Sequence, residues 1–313
     1  MKGKDLLSVS DLSREDIRLL ISNAIDMKIE GWRSLLSKKV LALIFEKPSL
    51  RTRVSFEIAM RQLGGHTIYL SPAEVGLGER EPVPDVAQVL TRYVDAIAAR
   101  TFSHRTLETL ADYSGVPVIN ALSDLEHPCQ ALADLLTIYE KKGELQGLTL
   151  AYVGDGNNVA HSLLLASSLT GMNFRIASPG GYKVQENILH LAQDNAAYSG
   201  AEIFCTEEPR LAVSEADVVY TDVWASMGQE AVAAERRQMF TGYQVNCELL
   251  SLAKEDAILM HPLPAHRGEE VDDNILDSPQ SVVFDQAENR MHLQKALLAG
   301  MLGGLEIPLA NYH

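Results

Sequence analysis

The sequence predicts an α/β protein of two domains, each a parallel sheet flanked by helices. Short apolar runs of strand length alternate with helical patterns, as parallel strands joined by helical crossovers require. Polar clusters follow the C-terminal ends of several apolar runs, where sheets of this kind bind ligands. A length of 313 residues suits two domains of ordinary size.

The elements follow in order. Ser13-Arg14-Glu15-Asp16 combines an N-cap with acid in the first turn and opens a helix through about Met27. Candidate strands of a first series are Val40–Phe45, His66–Leu70, Ala96–Ala99 and Val116–Asn120. A second series is Leu148–Val153, Phe174–Ala177, Glu202–Cys205, Val218–Asp222, Ile258–His261 and Val282–Phe284. Gln130 to Lys142 reads as one long helix, and Gly143 and Gly147 punctuate the chain after it. The expected division is therefore 1–140 and 141–288, joined by long helices. A last helix, Asn289 to Leu302, is expected to return to the first domain within 289–313.

Composition excludes several classes. The 27 Lys and Arg against 42 Asp and Glu give a net charge of −15, which argues against a diffuse basic face for nucleic acid. An anionic substrate would need local arginines acting against the global field. Cys129, Cys205 and Cys247 are odd in number and widely spaced, so neither a disulfide framework nor a zinc site is indicated. No apolar run approaches a membrane span, and no apolar segment follows the first residues as in a signal peptide. A cytoplasmic protein is the expectation.

Five clusters and the single residue Arg100 carry the chemistry. Phe45-Glu46-Lys47-Pro48-Ser49-Leu50-Arg51-Thr52-Arg53 stands where a strand becomes a helix. A helix N-terminus offers free backbone N–H groups and a positive dipole end to an oxyanion. Arginine opposes that dipole, so Arg51 and Arg53 together call for an external anion, which their planar donor forks fit. The plain alternative is Ser49 as a cap with a solvated first turn. Arg100 ends the strand from Ala96 and is placed at the crevice of the sheet, if it is not simply a surface residue. His127-Pro128-Cys129-Gln130 opens the long helix, with proline near its first position and His127 and Gln130 about a turn apart.

The remaining clusters suit an amino acid. Gly154-Asp155-Gly156-Asn157-Asn158 is only part of a dinucleotide fingerprint, since Val159 holds the third glycine position. Its two asparagines both donate and accept, which suits a zwitterion, or they serve the turn itself. Asp222-Val223-Trp224-Ala225-Ser226-Met227-Gly228 joins a carboxylate to a Ser-Met-Gly turn that can grip ammonium and carboxylate groups, or it is a helix cap. His261-Pro262-Leu263-Pro264 is a stiff loop, open to a cis bond, that can present the Leu263 carbonyl.

Together, and in this order, these clusters resemble the aspartate/ornithine carbamoyltransferase family over essentially the whole chain. Ser49-Leu50-Arg51-Thr52-Arg53, His127-Pro128-Cys129-Gln130 and His261-Pro262-Leu263-Pro264 are similar to its three motifs. The Ser-Met-Gly turn, Gly154 to Asn158 and Phe284-Asp285-Gln286-Ala287-Glu288-Asn289-Arg290 resemble the branch that uses ornithine. One residue departs: Pro262 stands where that branch usually carries cysteine. The resemblance implies carbamoyl transfer from carbamoyl phosphate to ornithine. It assigns carbamoyl phosphate to Ser49, Leu50, Arg51, Thr52, Arg100, His127, Gln130, Leu263 and Arg290, with Arg51, Arg100, His127 and Gln130 catalytic. It assigns ornithine to Asn158, Asp222, Ser226 and Met227. It implies no cofactor and no metal, and a homotrimer in which Gly76 to Pro82 serves a neighbouring subunit. A nicotinamide dehydrogenase, a ligand-binding protein without turnover and a transferase for another amine are the competing readings.

Overall fold

β1 (Val40–Phe45) is apolar throughout and buried from Leu41 onward, as a strand covered on both faces must be. In the computed structural model it pairs in parallel with β2 (His66–Leu70) on one side and β3 (Ala96–Arg100) on the other. β4 (Val118–Leu122) pairs with β3, giving the order β2-β1-β3-β4. The structure describes residues 1–31, 33–78, 80–225 and 233–303.

The crossovers of this sheet are helical. α1 (Arg14–Glu30) precedes β1, and its start is a reciprocal capping box between Ser13 and Asp16. α2 (Leu50–Gln62) joins β1 to β2, α3 (Pro72–Val75) and α4 (Val83–Leu90) lead to β3, and α5 (His104–Tyr113) leads to β4. Ala42, Ile44, Ile97, Ala99 and Val118 of the strands pack with Ala87, Leu107 and Leu110 of α4 and α5 in one buried cluster.

The second sheet has the order β7-β6-β5-β8-β9, also parallel throughout. Its strands are β5 (Thr149–Val153), β6 (Asn173–Ala177), β7 (Ile203–Thr206), β8 (Val218–Thr221) and β9 (Ile258–Met260). α6 (Pro128–Lys142) precedes it. α7 (Asn158–Thr170), α8 (Glu186–Ser199), α9 (Pro209–Val213), α10 (Ala233–Met239) and α11 (Cys247–Leu250) connect the strands. Val153, Val219 and Leu259 share a buried cluster with Trp224, Phe240, Tyr243 and Val271. Each sheet reverses its winding once, at β1/β3 in the first and β5/β8 in the second. Those are the switch points at which such sheets open a ligand crevice.

Several element boundaries change. Val282–Phe284 is not a strand, because α12 (Val283–Leu302) starts there. Ser281 only bridges Leu259, and the Val282 N–H donates to the Leu259 carbonyl at 3.0 Å before the helix begins. A three-residue apolar run looks alike in both states, and the helical period of the following residues decides it. β4 also runs from Val118 to Leu122 rather than from Val116.

Contacts divide the chain into Met1–Asp124 with the segment from Arg290, and Leu125–Asn289. By contacts α6 groups with the second unit, and α12 contributes to both units. α6 is bonded into the second unit: Asp134 accepts Tyr220 Oη at 2.9 Å and Gln286 Nε2 at 2.9 Å, and Thr137 accepts Asn289 Nδ2 at 3.0 Å. Among the described residues no helix is long and apolar enough to cross a membrane.

Candidate active site

In the first unit the strand register gathers the candidate anion-binding residues. Phe45, the last residue of β1, lies opposite Arg100, the last residue of β3. The loop from Glu46 to Ser49 therefore starts beside Arg100, and the Glu46 N–H donates to the Arg100 carbonyl at 2.8 Å. A register shift between Ala99 and Arg100 marks an irregularity of the kind that re-aims a side chain at a strand end. Ser49 caps α2, its hydroxyl accepting the Thr52 N–H at 3.3 Å. The N–H groups of Leu50 and Arg51 lie in the first turn, where a helix has no acceptor for them. The Leu50 side chain is exposed.

Three guanidinium groups gather here. Arg290 of α12 is buried and donates to Thr52 Oγ1 at 2.9 Å. Burial, then the positive charges of Arg290 and Arg51, push the Arg100 guanidinium down to about 10. Burial also lowers Arg51. The Arg100 Nε is buried without a hydrogen-bond partner, and among the described residues neither Arg51 nor Arg100 forms an ion pair. Arg51 and Arg100, held close to like charge with no carboxylate partner among the described residues, would be relieved by a bound anion. Lys47, which sequence reasoning left out, is lowered by burial and by Arg100 and stacks over Phe102 at 5.0 Å.

Arg53 does not join them. Its Nε donates to Glu57 at 2.8 Å and its guanidinium lies 3.8 Å from the Tyr69 ring centroid. The helical period turns position 53 to the outer face of α2, so only Arg51 of the expected pair lies beside Arg100.

In the second unit His127 is the N-cap of α6 and is buried. Its N–H donates to Ser162 Oγ at 2.9 Å, and that hydroxyl donates to the buried Glu126 at 2.9 Å. Gln130, one turn on, donates Nε2 to Asp134 Oδ1 at 2.8 Å. A carboxylate can only accept, so this contact fixes the amide and leaves Oε1, buried and without a partner, as an acceptor for an incoming N–H. Asp134 is the residue sequence reasoning missed; a lone acid inside Ala131-Leu132-Ala133-Asp134-Leu135-Leu136 was the available signal.

The ends of β5 and β8 are adjacent, Val153 lying opposite Thr221. Asn157 caps α7, its Oδ1 accepting the N–H groups of Val159 and Ala160. Its Nδ2 donates to Asp222 Oδ2 at 2.8 Å, while Asp222 Oδ1 accepts the Val223 N–H. Asn157 thus positions the carboxylate, and Asn158 takes the first helical position. Burial raises the Asp222 carboxyl, opposed first by His261 and then by Asn157. Asp155 pairs with Arg236 of α10 at 2.6 Å, and Arg236 also donates to the Trp224 carbonyl. Ser226 and Met227 lie outside the described residues.

Gly156 has its own reason. A Cβ there would stand 2.3 Å from the Val184 nitrogen and 2.4 Å from the Lys183 carbonyl carbon, and neither backbone atom can give way. This glycine serves chain packing, which removes the strongest element of the dinucleotide reading. Gly156→Ala is expected to destabilise the protein by about 1–3 kcal/mol. A denaturant titration checks it, and an unchanged midpoint would contradict the packing account.

After β9, the buried His261 accepts the Leu263 N–H on Nδ1 at 2.9 Å and lies 3.2 Å from Glu270 through Nε2. Leu263 has φ 55°, a left-handed conformation that costs a leucine about 1–2 kcal/mol, and its bond to Pro264 is cis. The His261 contact holds that conformation. Pro262 is buried at the position of the missing thiol.

Comparison with known proteins divides the chain after α6, as the sequence suggests. Residues 4–140 match the family description "Aspartate/ornithine carbamoyltransferase, carbamoyl-P binding domain", and residues 146–301 match its "Asp/Orn binding domain". An ornithine carbamoyltransferase of Thermococcus kodakarensis is 53% identical over 313 residues, covering 98% of this chain and 99% of the relative. An anabolic ornithine carbamoyltransferase of Pyrococcus furiosus is 53% identical over 310 residues, covering 98% of each. The solved ornithine carbamoyltransferase structure from Pyrococcus furiosus superposes with a TM-score of 0.94 at 53% identity, covering 97% of this chain and 99% of that one. With an arginine cluster in one unit and a buried acid at the switch point of the other, the chain belongs to the aspartate/ornithine carbamoyltransferase family.

Proposed function

We propose that the protein transfers the carbamoyl group of carbamoyl phosphate to the δ-amine of L-ornithine, giving L-citrulline and phosphate. The observation that carries the proposal is the gathering of Arg51, Arg100 and Arg290 without a carboxylate partner on Arg51 or Arg100. The relatives named for ornithine support the acceptor, and so does the buried Asp222.

The neutral amine attacks the carbamoyl carbon, and the carbonyl oxygen takes up negative charge. The tetrahedral species then expels phosphate, and the amine loses one proton to solvent. In the roles we assign, Ser49, Arg51, Thr52, Arg290 and the N–H groups of Leu50 and Arg51 hold the phosphate. Arg100, His127 and Thr52 stabilise the oxyanion, and Gln130 and the Leu263 carbonyl accept from the carbamoyl N–H₂. Asp222 takes the α-ammonium group. Asn158, Ser226 and Met227 complete the grip on the amino acid. Donors fixed beforehand act on the charge as it develops, and orientation of two small substrates adds to them. Assembly as a homotrimer in the cytoplasm belongs to the same proposal, as does service in arginine synthesis, which the word "anabolic" in the Pyrococcus furiosus name favours.

Position 262 offers no thiol to take the amine's proton. With a reference pKa of about 10.4 for such an amine, the neutral fraction in solution grows about tenfold per pH unit. The rate at subsaturating ornithine is accordingly expected to climb steeply from pH 7 to 9. A flat profile with chemistry limiting would sink this account of the proton. The acceptor itself is tested by offering ornithine, aspartate, putrescine and N-acetylornithine in parallel. Ornithine alone is expected to be carbamoylated, and turnover of another amine in its place would overturn the assignment.

A further inference from the structure

The loop after β9 carries donors that the carbamoyl chemistry leaves unused. His266 and Glu269 are the first and fourth residues of a turn closed by the Glu269 N–H on the His266 carbonyl at 2.9 Å. Gly268, with φ 85°, supplies the left-handed residue such a turn needs at its third position. Arg267 is drawn away by a two-bond pair with Asp277, at 2.8 and 2.9 Å, so its charge does not fill the turn. Glu270 follows, its carbonyl fixed by the Val245 N–H at 2.9 Å. One nitrogen of His266 and one carboxylate oxygen each of Glu269 and Glu270 lie within 4.8 Å of one another.

The Glu270 carboxylate is incompletely satisfied. Its side chain is fully buried. Oε1 is engaged by the His266 N–H at 2.5 Å and by His261 Nε2 at 3.2 Å. Oε2 is buried with no hydrogen-bond partner and lies 3.9 Å from His266 Nδ1. That gap is too long for a hydrogen bond, yet an ion making bonds of about 2.0–2.2 Å to nitrogen and oxygen reaches across it. A buried carboxylate oxygen without a partner is costly, and a bound cation removes the cost. One imidazole and two carboxylates form the mixed donor set that zinc takes, with water in the open position.

We propose that His266, Glu269 and Glu270 bind one divalent ion of the zinc class. Arg237 donates to Glu269 Oε1 at 3.0 Å, and the His266 side chain is half-exposed. The test is a calorimetric titration of the full-length protein with zinc chloride, joined to an optical titration with Co²⁺ as its spectroscopic substitute. One ion per chain is expected, with the visible bands of cobalt bound by nitrogen and oxygen. His266→Ala and Glu269→Gln, both outside the core, are each expected to weaken binding at least about tenfold. No binding at millimolar zinc, or binding unchanged in both variants, would overturn the proposal. So would sulfur-to-cobalt charge-transfer absorption, which would place the ion on the exposed Cys205 or Cys247.

Discussion

Arg100→Ala is expected to lower the rate of carbamoyl transfer on the order of 100- to 1000-fold, the usual loss for one donor of an oxyanion clamp. Arg100 is pushed down to about 10 by burial and by two neighbouring arginines, so it remains charged at neutral pH in a place that disfavours charge. An anion relieves both the desolvation and the repulsion. Inorganic phosphate should therefore stabilise the wild-type protein against heat, by about 2.7 kcal/mol at a hundred times its Kd. In Arg100→Ala that stabilisation shrinks while the protein remains folded, because removing one of three crowded cations lowers their repulsion. Thermal melts with and without phosphate read both effects. Full phosphate stabilisation in the variant, with less than about tenfold loss of rate, would remove Arg100 from the site.

Asp222→Asn is expected to act on the other substrate. A hydrogen bond to a charged group contributes about 1.5–3 kcal/mol, so the KM for ornithine should rise about 10- to 100-fold while that for carbamoyl phosphate stays put. Stability should move the opposite way. Burial raises the folded-state Asp222 carboxyl above its ordinary value of 3.8. The folded state then holds its proton more tightly than the unfolded state, so stability falls as pH rises through the interval between the two values. Above that interval the buried charge is a constant cost, which asparagine does not carry. The variant without substrate is expected to be at least as stable as wild type at pH 7. Parallel increases in both KM values, or a lower melting temperature, would show that Asp222 is a structural residue.

The parts of this site that were legible in the sequence are those set by strand ends. Arg100 and Asp222 stand at or just past the ends of apolar runs, and within each sheet the parallel register brings neighbouring strand ends together at the switch point. What depends on helical phase was less legible. Arg51 and Arg53 look equivalent in the sequence, but two residues along a helix is about 200° of rotation, and Arg53 turns to Glu57 and Tyr69. Asn157 and Asn158 are adjacent and identical, and only the helix start decides that Asn157 becomes the cap that holds Asp222. Asp134 escaped notice because its partners, Tyr220 and Gln286, are distant in sequence. The donors around Glu270 were missed for a related reason. A His and two Glu separated by a turn match no fixed metal spacing until the turn is folded.

The stoichiometry of products from carbamoyl phosphate and L-ornithine decides whether the protein is a carbamoyltransferase for ornithine. Citrulline and phosphate should appear in equal amounts, and phosphate release should fall to the background rate of carbamoyl phosphate breakdown when ornithine is withheld. Phosphate released without citrulline, or no citrulline at saturating levels of both substrates, would contradict the account.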